Sequence, residues 1–275
     1  MKMNFSLFIL ASVLLFSQCS LLQKGDYVED AGCGLNMKMV YVEGGSFDMG
    51  GTFKHSLDAR ADEYPIHKVN IDSYYIAECE VTQEQWQKIM GTTIYHQRDL
   101  AQQDLNGTKL QMCGVGNDYP MYYVNWNEAQ AFCSRLSAIT GKTYVLPTEA
   151  QWEYAARGGA NDEGFLYGAS DNPHTVAWYK GNSTNSAMCV KCKQSNALGL
   201  YDMCGNVWEW CNDYYGFYSQ GIYDNPTGPW SGQFRVSRGG SWMHESSYCR
   251  VTSRVSTDPS KRFSRGGLRV VCLEK

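Results

Sequence analysis

From Met37 the chain alternates apolar and polar residues in short runs. "MVYVEGGSFDMGG" (39–51) predicts a strand, a glycine turn and a second strand, and "HKVNIDSYYIAECEVT" (67–82) predicts two more. The period then lengthens. "TQEQWQKIMG" (82–91) has helical spacing, with Thr82 as N-cap and Gly91 as stop. Residues 92–118 are polar and irregular and read as a surface insertion. "NWNEAQAFCSRLSAITG" (125–141) places Ala129, Phe132, Cys133, Leu136 and Ile139 on one helical face and ends at Gly141. "PTEAQWEYAARGG" (147–159) predicts another helix, with Pro147 and Thr148 at its start. Beyond Gly158 there is no long helical pattern, only short strands near 234–238 and 267–273. The pattern predicts one α+β domain with few helices and much irregular structure.

The N-terminal pattern is of another kind. Lys2 precedes an almost wholly apolar run, Phe5–Phe16, that is too short for a permanent membrane span, and Cys19 follows it. This predicts a lipoprotein signal over 1–19 with Cys19 as the acylated residue, a tether over 20–36, and the folded domain over 37–275. The expected location is a bacterial cell envelope, as an outer-membrane lipoprotein held by its lipid anchor.

Ten of the eleven cysteines lie beyond Cys19, an even number that permits disulfides in an exported chain. Cys189 and Cys192 form a CxxC that suits a zinc half-site, a redox pair or a local disulfide, and nothing nearby completes a zinc set. The formal charge of −4 conceals an asymmetry: residues 235–275 hold nine Lys/Arg against three Asp/Glu, the rest 15 against 25. These arginines occur singly rather than in a run, which predicts internal anchors paired with carboxylates and excludes a nucleic-acid surface. The glycine pairs and Trp126, Trp152, Trp208, Trp210 and Trp242 read as turn and packing residues. There is no G-x-S-x-G and no phosphate-binding loop.

Six stretches together resemble the formylglycine-generating enzymes, or sulfatase-modifying factors: "MVYVEGGSFDMG", "PIHKVNIDSYYIAECEVTQEQW", "YVLPTEAQWEYAARGG", "NALGLYDMCGNVWEWCNDYYG", "RGGSW" and "GGLRVV". The resemblance implies a fold related to C-type lectins. It also implies a calcium site at Asp202, Gly205, Val207 and Glu209, the middle two through backbone oxygens, in keeping with the mixed oxygen ligands that calcium takes. A second calcium site of the family would fall in 182–198, where the sequence departs from the pattern.

The family's oxidases bind Cu(I) with two cysteines five residues apart, and soft thiolates suit that ion. Here the pattern reads "RGGSWMHESSYC" (238–249): Cys249 occupies the second position and His244 the first. The histidine-dependent iron branch of the superfamily is excluded, because the five histidines (55, 67, 96, 174, 244) are widely spaced. The resulting expectation is a non-catalytic envelope-anchored binding or scaffold protein. Trp242, Met243, His244, Glu245, Tyr248, Phe263 and Arg265 would be its contact residues and a protein or surface ligand its partner. The alternative is a formylglycine-generating oxidase with Cys249 and altered copper ligation. A calcium-dependent lectin ranks last, since no EPN-type or QPD-type loop is present.

Overall fold

The computed structural model describes residues 25–51 and 59–273. The signal segment and Cys19 lie outside the described residues. Three small sheets carry the architecture. The largest orders five strands as β1 (Tyr27–Glu29), β2 (Met37–Val42), β5 (Tyr74–Ala77), β12 (Val271–Leu273) and β6 (Thr143–Val145), with every neighbouring pair antiparallel. A second sheet pairs β3 (Gly45–Met49), β4 (His67–Ile71) and β8 (Ile222–Asp224). A third runs β10 (Arg254–Thr257), β9 (Arg235–Arg238), β7 (Trp208–Tyr214) and β11 (Gly266–Gly267). The short strand β1 falls in the segment read as a tether: Tyr27, Val28 and Glu29 pair with Met39, Lys38 and Met37.

The two-residue period of a strand explains the layering. On β2, Met37 and Met39 point into one core while Val40 and Val42 point into another. On β5, Ala77 joins the first and Tyr74 and Ile76 the second. The five-stranded sheet is therefore covered on both faces. The first core contains Trp86 and Phe132, whose rings stack at 5.7 Å. The second contains Trp152 and Tyr154 together with Cys204, Cys211 and Cys249.

The helices begin and end as their sequences dictate. α1 (Gln83–Met90) is capped by Thr82, α3 (Trp126–Thr140) by Asn125 and α4 (Glu149–Arg157) by Thr148, each with a reciprocal capping box. Gly91, Gly141 and Gly158 close them in the left-handed conformation. Two expectations need correction. Residues 92–118 contain a further helix, α2 (Ile94–Asp104), which buries Ile94, Gln97 and Ala101, a face too narrow to stand out as a stripe. Ile139 leaves the apolar face of α3 and is exposed. A last short helix, α5, spans Pro173–Val176.

Four of the seven arginines from residue 235 onward are internal, in line with their spacing, while Arg235, Arg262 and Arg265 are partly exposed. Arg238, Arg250, Arg254 and Arg269 are all buried. Arg250 grips Glu63 at 2.6 and 2.7 Å, and Arg254 grips Glu149 at 2.7 and 2.6 Å. Arg238 bridges Glu149 and Glu153, and Arg269 grips Glu209. A buried guanidinium is tolerated only when paired and hydrogen-bonded. These pairs tie β9, β10, the turn at Arg250 and the link between β11 and β12 at Arg269 to α4, to the turn at Ala61–Glu63 and to β7.

Candidate contact cleft

β7 alternates in "WEWCNDY": Trp210 enters the first core, whereas Cys211 enters the second. Trp208, Trp210, Ser237, Val255, Thr257, Asp258, Phe263, Arg265 and His244 line a cleft of about 220 Å³. The turn carrying His244 is set by backbone geometry. Gly240 has φ +81°, and a Cβ there would stand 2.7 Å from Cys249 Sγ and 2.8 Å from the Tyr248 carbonyl oxygen. Only glycine lets the chain pass that closely.

His244 is fixed inside this turn. Its amide donates to the Ser241 carbonyl, and its own carbonyl accepts from the Lys180 amide. Its Nδ1 lies 2.6 Å from Ser241 Oγ and accepts from Trp208 Nε1–H at 3.3 Å. Its ring meets Trp208 edge-on at 5.5 Å and Tyr248 at 5.1 Å. Burial, helped by the Arg265 charge, pushes the imidazole down to about 4, so the ring is neutral at pH 7.

The structure sorts the predicted contact residues into three groups. His244, Phe263 and Arg265 share the cleft. Met243 and Glu245 are exposed beside it, Glu245 paired with Lys180 at 2.6 Å, and Tyr248 packs on the His244 ring with the Arg60 guanidinium 5.3 Å from its own ring centre. Trp242 is the correction: it is 4 % exposed, belongs to the first core, and donates Nε1–H to the Ser264 carbonyl. The turn needs an apolar anchor, and Trp242 is that anchor rather than a contact. Missed by sequence reasoning were Trp208, Thr257 and Asp258. The strand alternation around Trp208 is the signal that points to it.

Cys249 is fully buried in the second core, and burial pushes its thiol up to about 12. Cys189 and Cys192 form a disulfide, and the eight other cysteines of the described residues are free.

The four residues of the calcium expectation cluster deep in the domain. Glu209 is fully buried; Arg269 contacts both its oxygens at 2.8–3.1 Å, and Trp152 donates Nε1–H at 2.6 Å. Asp202 accepts the Lys191 amide at 2.7 Å, and burial pushes its carboxyl up to about 6. The Val207 amide donates to Glu80 at 3.0 Å, and the Gly205 amide to the Gly239 carbonyl at 2.7 Å. Glu80, which sequence reasoning missed, is a third buried carboxylate here, held by the Asn206 side chain and the Val207 amide. Among the described residues, no three His, Cys, Asp or Glu side chains converge as metal ligands. Arg269 engages both Glu209 oxygens, so a cation held by Glu209 would have to share that carboxylate with the guanidinium or displace it.

Comparison with known proteins agrees with the architecture. Residues 26–273 match the sulfatase-modifying factor enzyme 1-like domain family. The chain is 31 % identical over 246 residues to the serine/threonine-protein kinase pkn1 of Chlamydia pneumoniae, covering 84 % of this chain but only 37 % of that protein. It is 28 % identical over 284 residues to a formylglycine-generating enzyme of Streptomyces coelicolor, covering 84 % and 87 %. The structure of Treponema denticola variable protein 1 superposes with a TM-score of 0.77 at 28 % identity, covering 90 % of this chain and 99 % of that one. With nearly all its described residues inside the matched span, the chain belongs to the sulfatase-modifying factor enzyme 1-like domain family.

Proposed function

We propose that this protein is a non-catalytic binding or scaffold lipoprotein of the cell envelope that presents the cleft and the exposed edge after Arg238–Trp242 to a partner. The observation that carries the reading is the state of the two positions where an oxidase of this family would hold copper. One is His244, neutral and bound through Nδ1 to Trp208 and Ser241. The other is Cys249, a fully buried thiol held protonated. Cu(I) binding and oxygen chemistry need soft, deprotonated, accessible sulfur. With His244 in place of one thiolate and Cys249 fully buried, these residues do not reproduce the bis-thiolate pair that the resemblance implies for Cu(I).

The family's other members support separating fold from reaction, since relatives with this domain carry names as different as kinase, variable protein and formylglycine-generating enzyme. The envelope location rests on the apolar run before Cys19, and the partner is a protein or surface ligand rather than nucleic acid.

The oxidase alternative is favoured by the 28 % identity to an enzyme of that name and by Cys249 at the second position. Mass spectrometry of a CxPxR peptide incubated with the protein, Cu(I) and oxygen separates the two. The expected result is unchanged cysteine; its conversion to formylglycine overturns the non-catalytic reading.

Calcium is tested separately. Because Arg269 already neutralises Glu209, melting in calcium and in chelator is expected to give the same midpoint. A clear rise with calcium would mean that a cation displaces the guanidinium, since a ligand bound only by the folded state raises the midpoint.

A further inference from the structure

The cleft holds two hydrogen-bond donors for which the described residues supply no oxygen acceptor. Arg265 is half-buried, and its guanidinium meets only the Phe263 ring at 5.0 Å and Met243 Sδ at 3.9 Å. Among the described residues no carboxylate stands within ion-pair range of it. That sets it apart from Arg238, Arg250, Arg254, Arg262 and Arg269, each of which grips a glutamate. The second donor is His244. An indole N–H can only donate, so Nδ1, which receives it from Trp208, is the unprotonated nitrogen of the neutral ring. The proton therefore sits on Nε2, which has no partner among the described residues. Nearby acids are already engaged. Asp258 accepts the Ser260 amide and hydroxyl at 2.9 and 2.8 Å, and Glu245 pairs with Lys180. Trp208, Trp210 and Phe263 line the same cleft as the two donors.

A forked cation beside a neutral N–H donor matches an oxyanion with two acceptor oxygens, and the aromatic lining matches an apolar neighbour of that group. We infer that the cleft binds a peptide carboxylate flanked by an apolar residue, with Arg265 and His244 Nε2–H as its two donors. The carboxylate comes from a chain terminus or from an acidic side chain. The inference rests on the reading of this cleft as the contact surface and names what that surface recognises.

Calorimetry on the full chain tests it with three probes: acetyl-Gly-Phe with a free C-terminus, acetyl-Glu-Phe-amide, and acetyl-Gln-Phe-amide. At least one acid is expected to bind about tenfold tighter than the neutral peptide, as a charge-assisted bond requires. The tighter acid identifies the source. Arg265→Gln is expected to remove the preference, Arg265→Lys to restore part of it, and binding to shift the His244 Nε2 resonance. Equal affinity for acid and amide, no binding at millimolar concentration, or an unchanged preference in Arg265→Gln overturns the inference. Such a failure leaves the non-catalytic reading intact, because that reading stands or falls on the formylglycine assay.

Discussion

Glu149→Ala is expected to destabilise the domain by about 3–5 kcal/mol, the cost of stripping one partner from a buried ion pair. Glu149 is 4 % exposed and faces two guanidiniums: Arg254, gripped through both oxygens, and Arg238 at 3.0 Å. Alanine leaves Arg254 with only the Asp62 and Gly216 carbonyls and Arg238 with Glu153 and two carbonyls. Their positive charges cannot be shed, because guanidinium stays protonated in proteins. Denaturant unfolding read by circular dichroism measures the loss. A change below about 1 kcal/mol, the range of an exposed pair, would show that water reaches this site.

The second large effect concerns pH. Asp213 is 3 % exposed, and burial, with Glu149 alongside, pushes its carboxyl up to about 8. A carboxyl whose pKa is higher folded than unfolded holds an extra proton in the folded state. Its contribution therefore declines as pH rises from about 4 towards about 8, by on the order of 5 kcal/mol in total. Glu153, held down to about 2 by Arg157 and Arg238 against its own burial, works in the other direction: its stabilisation is present above about 4.5 and is lost as pH falls through 2. His244, depressed to about 4, likewise loses stability as pH falls below about 6.5. The difference between Asp213→Asn and the wild type isolates Asp213. The asparagine retains an acceptor for the Glu149 amide, which Asp213 Oδ2 accepts at 3.0 Å. The variant is expected to gain on the wild type steadily between about pH 4 and pH 8 and to hold a constant lead above that. A pH-independent difference in denaturation midpoints would refute it.

Much of the scaffold was legible because the sequence states it locally. Thr82, Asn125 and Thr148 announce helix starts through capping boxes that need only three residues of context. The solitary arginines of the C-terminal segment announced partners, although not which ones. Their acids, Glu63, Glu149 and Glu153, come from distant segments, and long-range pairing leaves no trace in spacing. α2 went unread because its buried face is only Ile94, Gln97 and Ala101. In the cleft, the positions following "RGGSW" were readable from the motif. The inward turn of Trp242 was not, since an aromatic residue beside a loop packs or presents itself according to the neighbours it meets. Trp208 reaches the cleft from β7 and Asp258 from the residue just after β10, a convergence that the third sheet creates.

The arrangement of arginines and acids also has a consequence for how the chain is completed. The carboxylates at Glu63, Glu149, Glu153 and Glu209 precede residue 235, and four of the buried guanidiniums that neutralise them follow it. The strand that joins β5 to β6, β12, is also among the last residues described. A chain made only as far as residue 230 thus holds Glu63, Glu149 and Glu209 without these guanidiniums, Glu153 with Arg157 alone, and a central sheet that still lacks β12. Burial of those acids therefore waits on the segment from residue 235 onward, which brings their partners.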